Sequence, residues 1–167
     1  VFGTLINVFA TLFAAYPLSR SDFAGRRYFL FFFTFTMLFS GGMIPTYMVM
    51  RDLHLLNTIW SVVLPGAVAV YNLMVARSFI ESNIPREMLE AAQVDGCSDF
   101  RYFWTFVMPL SKPVIAVITL FYAVGHWNAY FNAFLYLDDR NLFPLQLFLR
   151  EILINNKVDA ATVTDQA

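Results

Sequence analysis

The sequence predicts an all-α fold, a polytopic transmembrane helix bundle, and three observations carry that prediction. First, 59% of the 167 residues are hydrophobic and only 14% are charged. A soluble domain has about 45–50% apolar and about 25% charged residues. Second, the apolar residues gather in charge-free runs, the pattern expected when lipid is the solvent. Third, the polar stretch between the last two runs has helical periodicity, so it reads as structure rather than as a linker.

The runs are Val1–Ser19, Tyr28–Met50, Leu55–Ala76 and Pro113–Leu137, the last interrupted only by His126. A helix needs roughly 20 residues to cross a hydrocarbon core of about 30 Å. These runs therefore predict spans at about 1–19, 28–50, 55–78 and 113–137. Pro45 and Pro65 lie inside two of them. Neighbouring helices satisfy the backbone groups that such prolines free, so kinks are expected rather than breaks. The chain begins at Val1, within an apolar run and without an initiator Met, and is expected to be a fragment of a single membrane domain.

The connections give an orientation. SRSDFAGRR carries Arg20, Arg26 and Arg27, and the segment of about 81–112 carries Arg86, Arg101 and Lys112. Two spans separate these loops, which puts them on one side. The opposite side has Arg51 in its short loop and Arg140, Arg150 and Lys157 in a long tail, which counts little. Basic short loops mark the cytoplasm, so segment 81–112 is expected there. Beyond the fourth run, Pro144 suits a first helical turn, and Leu145, Phe148, Leu149, Ile152 and Leu153 repeat at helical spacing. This predicts an external amphipathic segment at about 141–155, at the membrane surface or against the other helices.

Segment 81–112 reads as two short helices and a turn. Ser82 or Asn83 can cap the first, with Pro85 in its opening turn. Ile84, Met88, Ala91 and Ala92 make its apolar face, and Asp95-Gly96 stops it. Ser98 or Asp99 starts the second, whose apolar stripe is Phe100, Phe103, Trp104 and Val107. An amphipathic helix of this kind can fill a groove on a partner. The same periodicity fits a helix resting on lipid headgroups or on its own bundle.

The segment also carries a longer pattern: Glu90-Ala91-Ala92, then Gly96, then Phe106, Met108 and Pro109 at fixed spacing. It resembles the cytoplasmic loop motif of binding-protein-dependent ABC importer permeases. Phe106 and Met108 replace the family's usual Ile and Leu and remain apolar. NIPREMLEAAQVDG, HWNAYFNAFLYL and AAYPLSRSDFAGRRYF further resemble the maltose-type carbohydrate permeases, particularly those for oligosaccharides. The resemblance runs from about Leu12 to Leu153.

The resemblance implies a subunit of six spans in the inner membrane of a bacterial-type cell, of which the four here are the second to fifth. It implies a second permease subunit, cytoplasmic ATPase subunits and an extracytoplasmic substrate-binding protein as partners, beside the lipid bilayer. The cargo is expected to be a carbohydrate, an oligosaccharide, and the loop to couple ATP use to alternating access. The ATPase-docking set is then Glu90, Ala91, Ala92, Asp95 and Gly96, with the apolar Met88, Phe100 and Phe103. Cargo of another kind (peptide, phosphate, metal oxyanion or amino acid) is the nearby alternative. A channel or membrane scaffold without an ATPase is the more distant one.

No catalytic role is expected in this chain. It has no GxxxxGK[ST] phosphate loop, so ATP and Mg belong to a partner, and no HExxH or GxSxG pattern. His54 and His126 lie on different segments with no metal-ligand spacing, and Cys97, the single cysteine, leaves no internal disulfide. The net charge of −1 gives no field for nucleic acid. An ionisable residue within a span marks a functional position by default. His126, Trp127, Asn128, Tyr130 and Asn132 are therefore the substrate-pathway candidates, with helix contacts or interfacial anchoring as the plainer readings. Gly125, Ala129 and Ala133, like Ala10 and Ala14, read as packing seams, and the phenylalanines of YFLFFFTFTMLF as lipid-facing.

Overall fold

The computed structural model describes residues 1–39 and 41–164, with side chains as far as Ile154. Ser40, inside the second apolar run, and the side chain of Lys157 lie outside the described residues. Among the described residues the regular structure is entirely helical. Helix α1 runs Phe2–Ser19 and α2 Arg26–Leu38. Next come α3, Met43–Asp52, and α4, Ile59–Val63, which passes into a 3₁₀ turn at Leu64–Gly66. Helix α5, Val70–Asn83, leads to α6, Arg86–Val94, and α7, Asp99–Tyr102. A π-helical turn at Phe103–Val107 and α8, Met108–Leu110, precede α9, Lys112–Asn128. Then follow α10, Tyr130–Tyr136, a 3₁₀ turn at Arg140–Leu142, and α11, Leu145–Thr164.

Among the described helices only α1 is by itself long and apolar enough to cross a membrane. Helices α2 with α3, and α4 with α5, reach that length and hydropathy only as broken pairs. The kinks expected at Pro45 and Pro65 are breaks. Gly42 sits at φ +85° and ψ 178°, a region essentially reserved for glycine, and α3 starts just beyond it. Pro45 then lies in the first turn of α3, where a missing N–H costs nothing. Pro65, in the 3₁₀ turn, cannot donate to a continuing helix. The fourth run also divides, at Ala129, between α9 and α10.

The chain forms two compact units. In the first, made of the chain before Gly41 and of Gly66–Val124, α1 packs along α5 and α2 touches both. Leu12, Ala15 and Leu18 of α1 share a core with Leu73, Ala76 and Ile80 of α5 and Ile118 of α9. Ala15 and Ala76 are fully buried, small residues at which two backbones approach closely. Ala15 rather than the expected Ala10 or Ala14 is the buried alanine of that seam. The break before α5 leaves backbone groups to satisfy. Asn7 Nδ2 donates to Gly66 O (3.2 Å), and the Ala69 N–H donates to the Tyr122 hydroxyl (2.9 Å), which lies 2.6 Å from Thr11 Oγ1. Helix α2 buries none of its residues, and Phe29, Phe31, Phe32 and Phe35 are exposed, a surface suited to hydrocarbon.

In the second unit, Gly41–Pro65 with the chain from Gly125, α10 packs against α4 and α11. Ala133, Leu137 and Leu147 form its core. Asn57, at φ +57°, pins the chain after α10. Its N–H donates to Tyr136 O (2.8 Å), and its Oδ1 accepts the N–H groups of Asp138 (3.1 Å) and Asp139 (2.8 Å). The predicted amphipathic segment is helical from Leu145, but its stripe is the outer one. Leu145, Leu149, Ile152 and Leu153 are exposed while Leu147 is buried beside Ala133. Of the Gly125, Ala129, Ala133 line only Ala133 is buried, because the break at Ala129 takes these residues off a single helix.

Candidate functional site

The segment at 81–112 is a helical hairpin with a sharply defined turn. Gly96 takes φ +73°. The Cys97 N–H reaches back to Ala92 O (2.9 Å) and the Gly96 N–H to Gln93 O (3.0 Å), so two end carbonyls of α6 are satisfied by a Schellman closure. Ser98 caps the next helix, its Oγ accepting the Arg101 N–H at 3.4 Å. At the start of α6 the expected caps do not act. Ser82 Oγ donates to Ser78 O and Asn83 Nδ2 to Phe79 O, finishing α5 instead, and Pro85 stands at the boundary.

The π turn at Phe103–Val107 precedes Pro109, whose ring clashes with a regular helix on the carbonyl four residues back. It adds a residue to that turn and shifts the helical register. Tyr102, Phe103 and Val107 are buried, while Phe100 and Trp104 of the predicted stripe are exposed (65% and 40%). The chain then turns by 81° at Ser111 into α9.

Burial divides the predicted docking residues. Ala92 and Phe103 lie in the core and Met88 packs against it, so these three hold the hairpin to its unit. Glu90, Ala91, Asp95, Gly96 and Phe100 are exposed. Val94, not singled out from sequence, is 88% exposed, an apolar side chain at the tip of a polar helix. Glu90 Oε1 accepts from Arg86 Nε at 3.0 Å, one helical turn apart.

The base of the hairpin is tied to the loop after α1. Arg20, at the end of that helix, places Nη1 2.6 Å from Asp99 Oδ1 and clasps both oxygens of Asp22. Its guanidinium also lies over the Tyr16 ring, 5.9 Å from the centroid. Arg86 Nη1 donates to Ser21 Oγ (3.0 Å). Glu81 takes Arg26 on one oxygen and Arg77 on the other (2.6 Å), and Arg77 also donates to Leu18 O (3.0 Å). The two basic loops are thus brought together. The hydrogen bonds from Arg20 hold the Asp22 carboxyl below the usual carboxylate range, and Asp22 in turn keeps Arg20 charged at any pH. Burial pushes the Tyr102 phenol up, so it stays neutral. Sequence alone pointed to Arg20 only as a basic loop residue, because its partner lies 79 positions away.

The family of binding-protein-dependent transport system inner membrane components matches residues 6–142. This chain belongs to that family. Protein LplC of Bacillus subtilis (strain 168) is 47% identical over 160 residues, 96% of this chain and 54% of the relative. The polygalacturonan/rhamnogalacturonan transport system permease protein YtcP of the same organism is 47% identical over 154 residues, covering 92% and 54%. A solved bacterial ABC transporter, involved in the import of the acidic polysaccharide alginate, matches with TM-score 0.85 and 36% identity, over 98% of this chain and 61% of that one. The chain spans about half the length of these curated relatives. As an inner membrane component, it has lipid for the exposed phenylalanines of α2 to face.

The other candidate residues of this inner membrane component lie in the second unit. His126 is half-buried in the last turn of α9, Trp127 is 62% exposed, and Asn128 ends the helix. Tyr130 opens α10 and Asn132 is exposed on it. Asn128 and Asn132 lie four positions apart. Ala129, at ψ +38°, interrupts the helix between them, so they belong to different helices. Among the described residues no group of His, Cys, Asp and Glu is gathered as a metal site.

Proposed function

We propose that this chain is part of a permease subunit of an ATP-driven importer, with a carbohydrate, an oligosaccharide, as cargo. The carrying observation is the hairpin: a turn closed at Gly96, a base fixed by Arg20, and exposed Glu90, Ala91, Val94 and Phe100 beyond them. That combination suits a lever. Its outer residues enter a groove on a cytoplasmic ATPase, while Ala92, Met88 and Phe103 pass the displacement into α1 and α5. The partner ATPase binds ATP and Mg and performs the hydrolysis. A second permease subunit and an external binding protein complete the transporter, and the spans of this chain cross the inner membrane more than once. Family membership supports the partners, and the names of YtcP and of the alginate importer support a polymeric carbohydrate.

The test uses the assembled transporter in proteoliposomes with its binding protein. Glu90→Lys puts a cation beside Arg86, and Gly96→Pro removes the N–H that closes the turn. Both variants should insert normally and lose cargo-stimulated ATP hydrolysis. Full stimulation and transport in both would end the lever assignment. Stimulation by amino acids or phosphate but by no oligosaccharide would end the cargo assignment alone.

A further inference from the structure

In the second unit two arginines lie over aromatic rings, and they differ in one respect. The Arg140 guanidinium sits 5.8 Å from the Phe148 centroid and is neutralised by both oxygens of Glu151 (3.2 and 3.1 Å). The Arg150 guanidinium sits 4.9 Å from the Phe134 centroid and 5.7 Å from that of Tyr130. Among the described residues Arg150 makes no ion pair. The guanidinium lies over both rings, and the residue is exposed. Among the described residues no partner occupies its forked N–H donors.

Tyr130, Phe131 and Phe134 all expose ring surface in the same short helix, and Trp127 precedes it by three residues. Aromatic faces take the C–H face of a sugar ring, and a fixed guanidinium takes a carboxylate bidentately. A sugar that carries its own carboxylate satisfies both at once. We infer that Arg150, held over Tyr130 and Phe134, is a recognition site for the carboxylate of an acidic oligosaccharide, a uronate chain. The inference rests on the carbohydrate reading above and sharpens it to anionic sugars. Helix α11 then has a task that its exposed stripe did not suggest: it presents one cation to the aromatic surface of α10.

An anionic lipid headgroup is the rival source of negative charge, since arginine and aromatic residues also anchor proteins at membrane interfaces. The experiment separates the two. The assembled transporter, without binding protein, is placed in nanodiscs of phosphatidylcholine alone or with phosphatidylglycerol. Equilibrium binding is measured for tri-galacturonate and for its fully methyl-esterified form, which keeps the rings and loses the charges. The wild type should prefer the acid by about tenfold, the worth of a charge-assisted pair. Arg150→Ala should abolish the preference, weakening binding of the acid far more than that of the ester, and Arg150→Lys should keep part of it. Equal binding of acid and ester by the wild type overturns the assignment, as does a preserved preference in Arg150→Ala. A defect seen only in phosphatidylglycerol nanodiscs overturns it too, assigning Arg150 to lipid. A wild type whose ATPase, with binding protein, responds to neutral oligosaccharides but not to tri-galacturonate refutes the acidic cargo and leaves the carbohydrate reading standing. A response to no oligosaccharide refutes the carbohydrate reading itself.

Discussion

Arg20 Nη1 lies 2.6 Å from Asp99 Oδ1, joining the end of the first helix to the second helix of the hairpin. The pair is asymmetric: Arg20 is 15% exposed and Asp99 60%. An exposed carboxylate contributes little, about 0–1 kcal/mol, whereas a mostly buried arginine serving several partners is harder to lose. Asp99→Ala should therefore leave the melting temperature of the detergent-purified transporter almost unchanged. Arg20→Ala, which abandons Asp22, Asp99 and the Tyr16 ring together, should lower it clearly. Equal melting of the two variants would deny Arg20 its central place.

Acid should loosen the base of the hairpin. The folded-state pKa of Asp22 is depressed by its hydrogen bonds to Arg20, so the linkage is fully present above the unfolded value of about 3.9. It is lost as pH falls through the lower folded value. Amide exchange in residues 19–26 should rise below about pH 4, after correction for intrinsic rates. Asp22→Asn should show the raised level at neutral pH and no acid step.

Gly96 and Gly125 make a controlled comparison. Gly96→Ala forces a side chain into left-handed backbone and should cost about 1–2 kcal/mol. Gly125 is helical with open space at its Cβ position, so Gly125→Ala should be neutral or gain up to about 1 kcal/mol from helix propensity. Thermal unfolding of both in detergent checks the sign of each.

Tyr122→Phe tests the break before α5. It strips the Ala69 N–H and Thr11 Oγ1 of their common partner. A buried polar group left unpaired costs about 1–3 kcal/mol, so the melting temperature should fall although the change is one oxygen. An unchanged melting temperature would mean that the unwound backbone finds another acceptor.

These tests also mark where the sequence was readable. Long apolar runs located the helices because hydrocarbon length and backbone satisfaction leave few other solutions. The hairpin was legible for a local reason: Asp95-Gly96 followed by Ser98 spells a stop and a start within four residues. The breaks were less so. Pro45 and Pro65 read as kinks, since a proline tolerated in a membrane helix looks the same in sequence as one beside a break. Ala129 carries no breaking signal at all. The outward placement of Phe100 and Trp104 had no signal in their spacing, which matches that of the buried Phe103 and Val107. The stripe of α11 was correctly spaced, but spacing does not say which side of it meets protein. Asn57, Arg20 and Arg150 act through partners far away in sequence, which no local pattern reveals.

The central claim is that the hairpin faces the cytoplasm beneath an ATPase, and Cys97, half-buried beside the turn, reports on it most directly. With any cysteine elsewhere in the full-length subunit replaced, a membrane-impermeant maleimide is applied to right-side-out and inside-out vesicles. The inside-out vesicles are tested before and after the peripheral ATPase is stripped away. Labelling confined to inside-out vesicles, and appearing only after stripping, is the predicted result. Labelling from the outside, or inside-out labelling indifferent to the ATPase, would contradict the account.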